Sequence, residues 1–339
     1  MGQRTLRLCS AVFLGFIIMT CLSSAVASTP VDVYILNPFS GDLGVKGQTF
    51  SGYWVGEIPV KVGAPTSEYP PQPSWGEATK AFCMQYDKTI YVGKKYGAEL
   101  APVNDNAEWR AVSYLLTWQY PPLSNPEAAR LQTAIWRLLN DTRGYSYVKP
   151  SWLPSDVDNA ARQLVALAWG KDVVRGSDVF EWVKPVSGNG TSIMAGPGEI
   201  VTLTARLTTN GVGRANVKVQ FSATINGSPL AVDPAEDHTN STGHVEVTIT
   251  VPPNSMGSNI EVKATTKGVW PTLYLDLSDI NRQDLIGFDT SFELTLSTNV
   301  WIFARIFVVP EAPFGTLLVV VACFSALLVK TKRVRLTSK

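Results

Sequence analysis

Histidine is almost missing from this chain: two occur in 339 residues, His238 and His244, both in the second half. A hydrolase built on cysteine or serine needs a base beside its nucleophile, usually histidine. The first half is not equipped for that chemistry. Cysteine is also scarce, with four residues in all. Cys9 and Cys21 fall in an apolar leader and Cys323 in an apolar C-terminal stretch, which leaves Cys83 alone between them. A lone cysteine cannot close an internal disulfide, and zinc requires several Cys or His ligands. Neither a staple nor a metal is expected, and no cofactor motif is present. Charged residues make up only 17% of the chain and the net charge is +1, with no basic run before the tail. Nucleic acid is therefore not an expected partner. Hydrophobic residues reach 45%, and the length suits two folded domains.

The ends carry address signals. Arg4 and Arg7 precede an apolar run from Leu8 to Met19, and Ala25-Val26-Ala27 gives a small-x-small cleavage pattern. Residues 1–27 read as a secretory signal peptide. Ile18-Met19-Thr20 before Cys21 is no lipobox. At the other end, Ala312 to Val329 is apolar and is followed by Lys330, Lys332, Arg333 and Arg335. About 20 apolar residues span a bilayer, and a basic flank favours the cytoplasmic side. Residues 310–339 are expected to be a single transmembrane anchor, with the protein secreted and held at the cell surface. Val309-Pro310-Glu311-Ala312-Pro313-Phe314-Gly315-Thr316 before that run resembles the Pro-Glu-Phe type sorting signals of archaeal surface proteins. The likeness implies an archaeosortase-like processing enzyme as a partner; a plain membrane anchor is the alternative.

Residues 31–184 are expected to form a first domain with a strand-rich part and a helical part. Val31 to Leu36 alternates, and Phe82 to Val92 reads as a long strand or a strand pair. On that strand Phe82, Met84 and Tyr86 share one face while Cys83 and Gln85 share the other. Asn104 or Asp105 can cap a helix through Trp109–Leu116, Asn125-Pro126 starts a second, and Ser155 caps a third that Gly170 ends. On the second helix Ala128, Leu131, Ile135 and Leu138 form one line and Gln132, Trp136 and Leu139 the adjacent one. Gln132 is thus an amide in an apolar stripe. Leaving it unsatisfied would cost about 1–3 kcal/mol. A backbone hydrogen bond would satisfy it, and Cys83 by itself reads as a small buried hydrophobe.

The pair Phe82-Cys83 and the run Leu131-Gln132-Thr133-Ala134-Ile135-Trp136 together resemble the signature of thioester domains of Gram-positive surface adhesins. There an aromatic-Cys pair and a hydrophobic-Gln-x-x-hydrophobic-Trp helix supply the halves of a Cys–Gln thioester. By that likeness Cys83 gives the sulfur and Gln132 the acyl carbon. Phe82, Trp118 and Trp136 are expected to line a pocket that keeps water from the bond. The implied function is covalent capture of an amine-bearing (lysine) target, an isopeptide product and one reaction per molecule, so no enzyme in the turnover sense. The alternative is a noncovalent structural or binding protein of the cell envelope. Those adhesins often place an acidic residue two positions after the cysteine; here Gln85 stands there and Asp87 is the nearest carboxylate. Complement-type thioesters, with glutamine three residues after cysteine, do not fit, because Gln85 follows Cys83 by two.

From 185 the pattern turns to short alternating strands: Ile200–Leu207, Val217–Phe221, His244–Val251 and Ile260–Ala264. Asn210-Gly211 and Asn226-Gly227 are turn dipeptides. Residues 185–309 are expected to be an all-β sandwich and membrane-proximal stalk, with Phe288–Val309 a final strand or a membrane-proximal segment. The segment resembles bacterial Ig-like repeats of surface proteins, which implies a spacer role. Both histidines are expected to be exposed there.

Overall fold

The computed structural model describes residues 29–38, 44–65, 77–86, 91–139, 147–185, 192–276, 284–288 and 291–303. The expected signal peptide at 1–27, the expected anchor at 310–339 and Asp87 lie outside these residues. Among the described residues no helix is long and apolar enough to cross a membrane.

Six antiparallel strands close a barrel in the order β1 (Thr29–Ile35), β4 (Ile58–Gly63), β5 (Thr79–Cys83), β17 (Leu285–Gly287), β16 (Thr272–Asp276) and β6 (Lys95–Pro102). A hairpin of β2 (Gly47–Phe50) and β3 (Tyr53–Gly56) stands beside it. Three helices follow β6: α1 (Ala107–Trp118), α2 (Asn125–Leu139) and α3 (Ser155–Ala168). Val31, Val33 and Ile35 alternate inward on β1, and together with Cys83, Tyr96 and Tyr274 they fill one side of the core. The helices pack around a second cluster containing Phe82, Leu115, Leu131 and Ile135.

The helix starts differ from the sequence reading by one or two residues. Asn106 caps α1, its side chain accepting from Trp109 N–H at 2.9 Å. Ser124 Oγ meets the Glu127 N–H, which leaves Asn125 Oδ1 to accept from Gly47 N–H. Ser155 is already inside α3, and Pro154 precedes it without a side-chain cap. At α1 and α2 a polar residue near the expected cap reaches the same orphan donors, so spacing alone does not choose between them.

The remaining strands form two sheets over one core. In the first, β9 (Ile200–Thr209) pairs with β7 (Asp178–Lys184), β10 (Val212–Gly213) and β14 (His244–Thr250). In the second, the order is β12 (Ser228–Leu230), β11 (Lys218–Ile225), β15 (Asn259–Val269), β18 (Ser291–Ile302) and β8 (Ser192–Ala195), with β13 (Glu236–His238) also on β11. Alternation turns Val245, Val247 and Ile249 inward from one sheet and Ile260, Val262 and Ala264 from the other. The Asn226-Gly227 turn has both residues at positive φ, 49° and 82°, as a tight hairpin between right-twisted strands requires.

The domain boundaries differ from the linear reading in two places. Strand β7, which the sequence places in the first domain, pairs with β9 in the sandwich. Thr272–Asp276 and Leu285–Gly287, placed in the second domain, complete the barrel as β16 and β17. Of the two readings of Phe288–Val309, the final strand holds over the described part: β18 is an inner strand of the sandwich, paired with β15 from Asn259↔Trp301 to Val269↔Ser291 and with β8 on its other side. In chain order β16 and β17 fall between β15 and β18 of the sandwich. The pairing of β17 with β5 links residues some two hundred positions apart, which no local pattern can announce.

Candidate functional site

Strand β5 ends on Cys83, whose side chain faces the barrel side of the core while Phe82 faces the helices. Helix α2 lies across this end of the barrel. It turns Leu131, Ile135 and Leu138 to the helical cluster and Ala129 and Trp136 to the Cys83 cluster. Gln132 lies between Ala129 and Trp136 on that second line and is 1% exposed. Its carboxamide is held by one residue. Cys83 N–H donates to Oε1 at 2.9 Å, and Nε2 donates to the Cys83 carbonyl at 2.8 Å.

This closed pair of hydrogen bonds puts the amide of Gln132 directly on the residue that carries the thiol. The Cys83 N–H polarises the carbonyl whose carbon a nucleophile would attack, the position that an oxyanion donor occupies in acyl transfer. Cys83 is the free cysteine of the described residues and is buried. Burial pushes its thiol well above the ordinary range. The resting form is therefore the thiol, and a nucleophilic sulfur requires a partner to take the proton as the bond forms.

An aromatic wall extends from the site. Trp136 meets Tyr86 edge-on with centroids at 6.3 Å and Trp152 at 6.5 Å; Trp152 stacks on Tyr53 at 4.7 Å. Tyr86 also meets Tyr147 at 5.5 Å. Strand alternation put Tyr86 with Phe82 and Met84, but β5 ends at Cys83 and the chain bends there, bringing Tyr86 to the Cys83 side. The 147–153 segment is fixed by Tyr147 Oη, which donates to Asp158 Oδ1 at 3.1 Å, and Arg137 binds both oxygens of the same carboxylate at 2.6 and 2.7 Å.

Of the expected pocket residues, Trp136 is placed beside Gln132 on the Cys83 side. Phe82 is fully buried against Tyr120 and Phe288 on the opposite face of β5. Trp118 is farther removed. Its ring lies 4.9 Å from Lys218 Nζ and 4.8 Å from Lys267 Nζ, both on sandwich strands, and it lines a separate cavity of about 660 Å³ with Tyr120, Leu131 and Leu167. The helical spacing that pairs residues on one helix says nothing about which side of a neighbouring element an aromatic residue meets.

Sequence reasoning missed Asp284. It precedes Leu285, which pairs with Cys83, and its own carbonyl accepts from Met84 N–H at 3.0 Å. Gln85 Nε2 donates to Asp284 Oδ2 at 3.1 Å, and Asp284 N–H donates to Gln85 Oε1 at 3.0 Å. A buried carboxylate thus enters beside Gln85 from a distant strand. The histidines are also placed otherwise than expected. His238 is half-buried and stacks on Tyr114 with centroids at 6.3 Å. His244 Nδ1 shares a 2.8 Å hydrogen bond with Thr242 Oγ1. Among the described residues no group of three or more His, Cys, Asp or Glu is arranged to hold a metal ion.

No family model matches the chain. No curated protein matches it. Several solved structures are similar to the chain. The Bacillus anthracis TIE protein is 12% identical, with a TM-score of 0.31 over 80% of this chain and 49% of that one. The thioester domain of the Enterococcus faecium TIE86 protein is 11% identical, with a TM-score of 0.29 over 80% of this chain and 94% of that one. The D0-D1 domain of Intimin is 14% identical, with a TM-score of 0.21 over 37% of this chain and 49% of that one. The chain spans about half the length of the Bacillus anthracis protein. At these TM-scores the likenesses assign neither a family nor an activity. The functional reading stands on the Cys83–Gln132 geometry.

Proposed function

We propose that this protein is a cell-surface adhesin that captures amine-bearing targets through a thioester between Cys83 and Gln132. The observation that supports it is the reciprocal hydrogen bonding of the Gln132 carboxamide to Cys83. Closing the bond joins Sγ to Cδ of Gln132 and expels Nε2 as ammonia, which leaves with the thiol proton. A thiolate is a better leaving group than an amide nitrogen. A lysine amine of the target then attacks Cδ, the C–S bond breaks, and the product is an isopeptide with Cys83 again a thiol. Trp136 and its aromatic neighbours exclude water and so slow hydrolysis. Each molecule reacts once. On this reading the sandwich, with Ig-like character, spaces the reactive barrel from the membrane. A C-terminal helix anchors it there, with or without processing by an archaeosortase-like enzyme.

A second reading has an observation in its favour. The two hydrogen bonds already satisfy the Gln132 amide, so a noncovalent structural or binding protein of the envelope needs no bond at this place. Intact mass decides. The described region, purified without reductant, is expected to weigh one ammonia less than its sequence and to gain one methylamine adduct on Gln132. Cys83→Ala is expected to weigh its full sequence mass and to take no adduct. A full mass with a titratable thiol in fresh wild-type protein overturns the thioester and leaves the second reading.

A further inference from the structure

The outer face of the sandwich changes character at one end. Along β18 the outward residues are Glu293, Thr295, Ser297 and Asn299, and after them come Trp301 and Phe303. Those last two are 43% and 51% exposed. Met194 of β8 is in register with Trp301, so it shares that face, and it is 78% exposed. The turn before β15 closes the same end. Its Gly257 N–H donates to the Ile302 carbonyl at 3.0 Å, and Met256 next to it is 65% exposed. Ile200, which opens β9 opposite Thr250, is equally exposed. Scattered apolar residues on a surface need no explanation, but a cluster of large ones at one place marks a contact surface.

We propose that this end of the sandwich seats on the lipid bilayer, with Trp301, Phe303, Met194 and Met256 entering the headgroup region. The inference deepens the proposed function and rests on its membrane anchor. Residues 304–311 separate Phe303 from the apolar run that begins at Ala312. Eight residues reach at most about 29 Å when fully extended, so an anchored chain keeps the patch within that distance of the hydrocarbon. Half of that tether is Ile306-Phe307-Val308-Val309, which gives it no reason to stand off in water. The chemistry of the patch also suits lipid. Aromatic rings are favoured at the membrane–water interface, and methionine adapts to an irregular surface. Charge is kept out: among residues 192–200, 251–259 and 299–303, Glu199 alone is charged, and its Oε2 accepts from Gly196 N–H at 2.8 Å. The contact is therefore expected on zwitterionic lipid, without help from anionic headgroups.

Seating fixes how the barrel is presented. Strand β15 starts at this end with Asn259 and finishes at the barrel, where Val269 N–H donates to Thr117 Oγ1. It is paired with β18 along its whole length, so it acts as a stiff strut. At the rise of a strand it spans about 33 Å. The barrel with Cys83 and Gln132 then stands about one strand length off the bilayer instead of swinging on its tether. Capture is directed at an opposing surface rather than at neighbours in the same membrane.

Methionine oxidation tests the seating. The full chain is placed in phosphatidylcholine nanodiscs, one copy per disc, and exposed to a charged oxidant that does not enter lipid. Met1 and Met19 fall in the expected leader, so Met84, Met194 and Met256 report. Met84 is 5% exposed and serves as the control for folding. The comparison is the double variant Trp301→Gln/Phe303→Gln in the same discs, both positions being exposed. Met194 and Met256 of the wild type are expected to oxidise about tenfold more slowly than those of the variant, as a docked state populated ten to one requires, with Met84 intact in both. Equal rates in the two proteins, with both still eluting on discs, overturn the seating and leave the anchor standing. Protection that arises only at two copies per disc assigns the patch to a second copy and overturns the bilayer as its occupant. Protein that does not enter discs overturns the anchor, and the seating with it.

Discussion

Gln132 makes both of its amide hydrogen bonds to Cys83, and that exclusivity makes its replacement costly. In Gln132→Ala the Cys83 N–H and carbonyl lose their partners within a closed core. An orphaned buried group costs about 1–3 kcal/mol, so a loss of roughly that size, or more if both groups stay dry, is expected in urea unfolding. The same variant is expected to show a titratable thiol and no methylamine adduct. Cys83→Ala keeps the backbone groups and their hydrogen bonds, so its stability falls less than that of Gln132→Ala unless the wild type is already cross-linked. Comparing the two losses therefore separates packing from bond. Both residues were legible in the sequence, because the motifs that mark them are local. Asp284 was not, because nothing near it in the chain resembles a site.

At the scale of elements, α2 and α3 are joined by a charge clamp rather than by apolar contact alone. Burial by itself would raise the Asp158 carboxyl, but the hydrogen bonds from Arg137 and Tyr147 and the charges of Arg137 and Arg162 outweigh it and hold the group below its ordinary value. A carboxylate with a folded value depressed below the unfolded one adds stability that is complete above about pH 4 and is lost as pH falls through the folded value. Wild type is thus expected to lose part of its thermal stability on acidification below pH 4. Asp158→Asn is expected to start lower at neutral pH and to show a flatter acid limb in the same melting series. Truncating one side of a buried ion pair costs about 3–5 kcal/mol. Tyr147 is fixed by this carboxylate and touches Tyr86, so on the proposed thioester reading the variant is also expected to lose the bond to water faster. Elsewhere, Gly268 on β15 lies under the Val174 carbonyl, and a Cβ there would sit 2.0 Å from that oxygen. Backbone cannot yield as a side-chain tip can. Gly268→Ala is expected to cost about 1–3 kcal/mol, as overpacking does, read as a lower urea midpoint with an unchanged slope.

At the scale of the whole molecule, the barrel and the sandwich are interlaced rather than strung in series. Strands β16 and β17 close the barrel but fall, in chain order, between β15 and β18 of the sandwich. Further ties cross the joint: Val269 N–H donates to Thr117 Oγ1 at 2.8 Å, Arg175 binds Asp105, and the Arg175 guanidinium lies 4.2 Å from the Trp270 ring centroid. The Arg175 hydrogen bonds and charge, helped by Arg110, hold the Asp105 carboxyl far below its ordinary value against the effect of burial. A fragment ending at residue 184 lacks two of six barrel strands and the partner edge of β5. It is expected to show no cooperative unfolding transition and no methylamine adduct, whereas residues 29–303 show both. A cooperative, reactive 29–184 fragment contradicts the interlaced topology.

The sequence by itself determined the local matters. Alternation set the inward faces of β9, β14 and β15, Asn-Gly pairs set the tight turns, and a 3.6-residue repeat put Gln132 and Trp136 on one line of α2. Each of these depends on neighbours a few positions apart, and their energetics are decided within one element. Tertiary structure decided which line of α2 meets Cys83, which face of β5 Phe82 takes, and where Trp118 goes. It also decided that β16 and β17 belong to the barrel and that Asp284 arrives beside Gln85. These depend on burying surfaces from segments as far apart as 83 and 285. Hydrophobic burial is non-directional, so the pattern of one strand cannot name the partner that covers it.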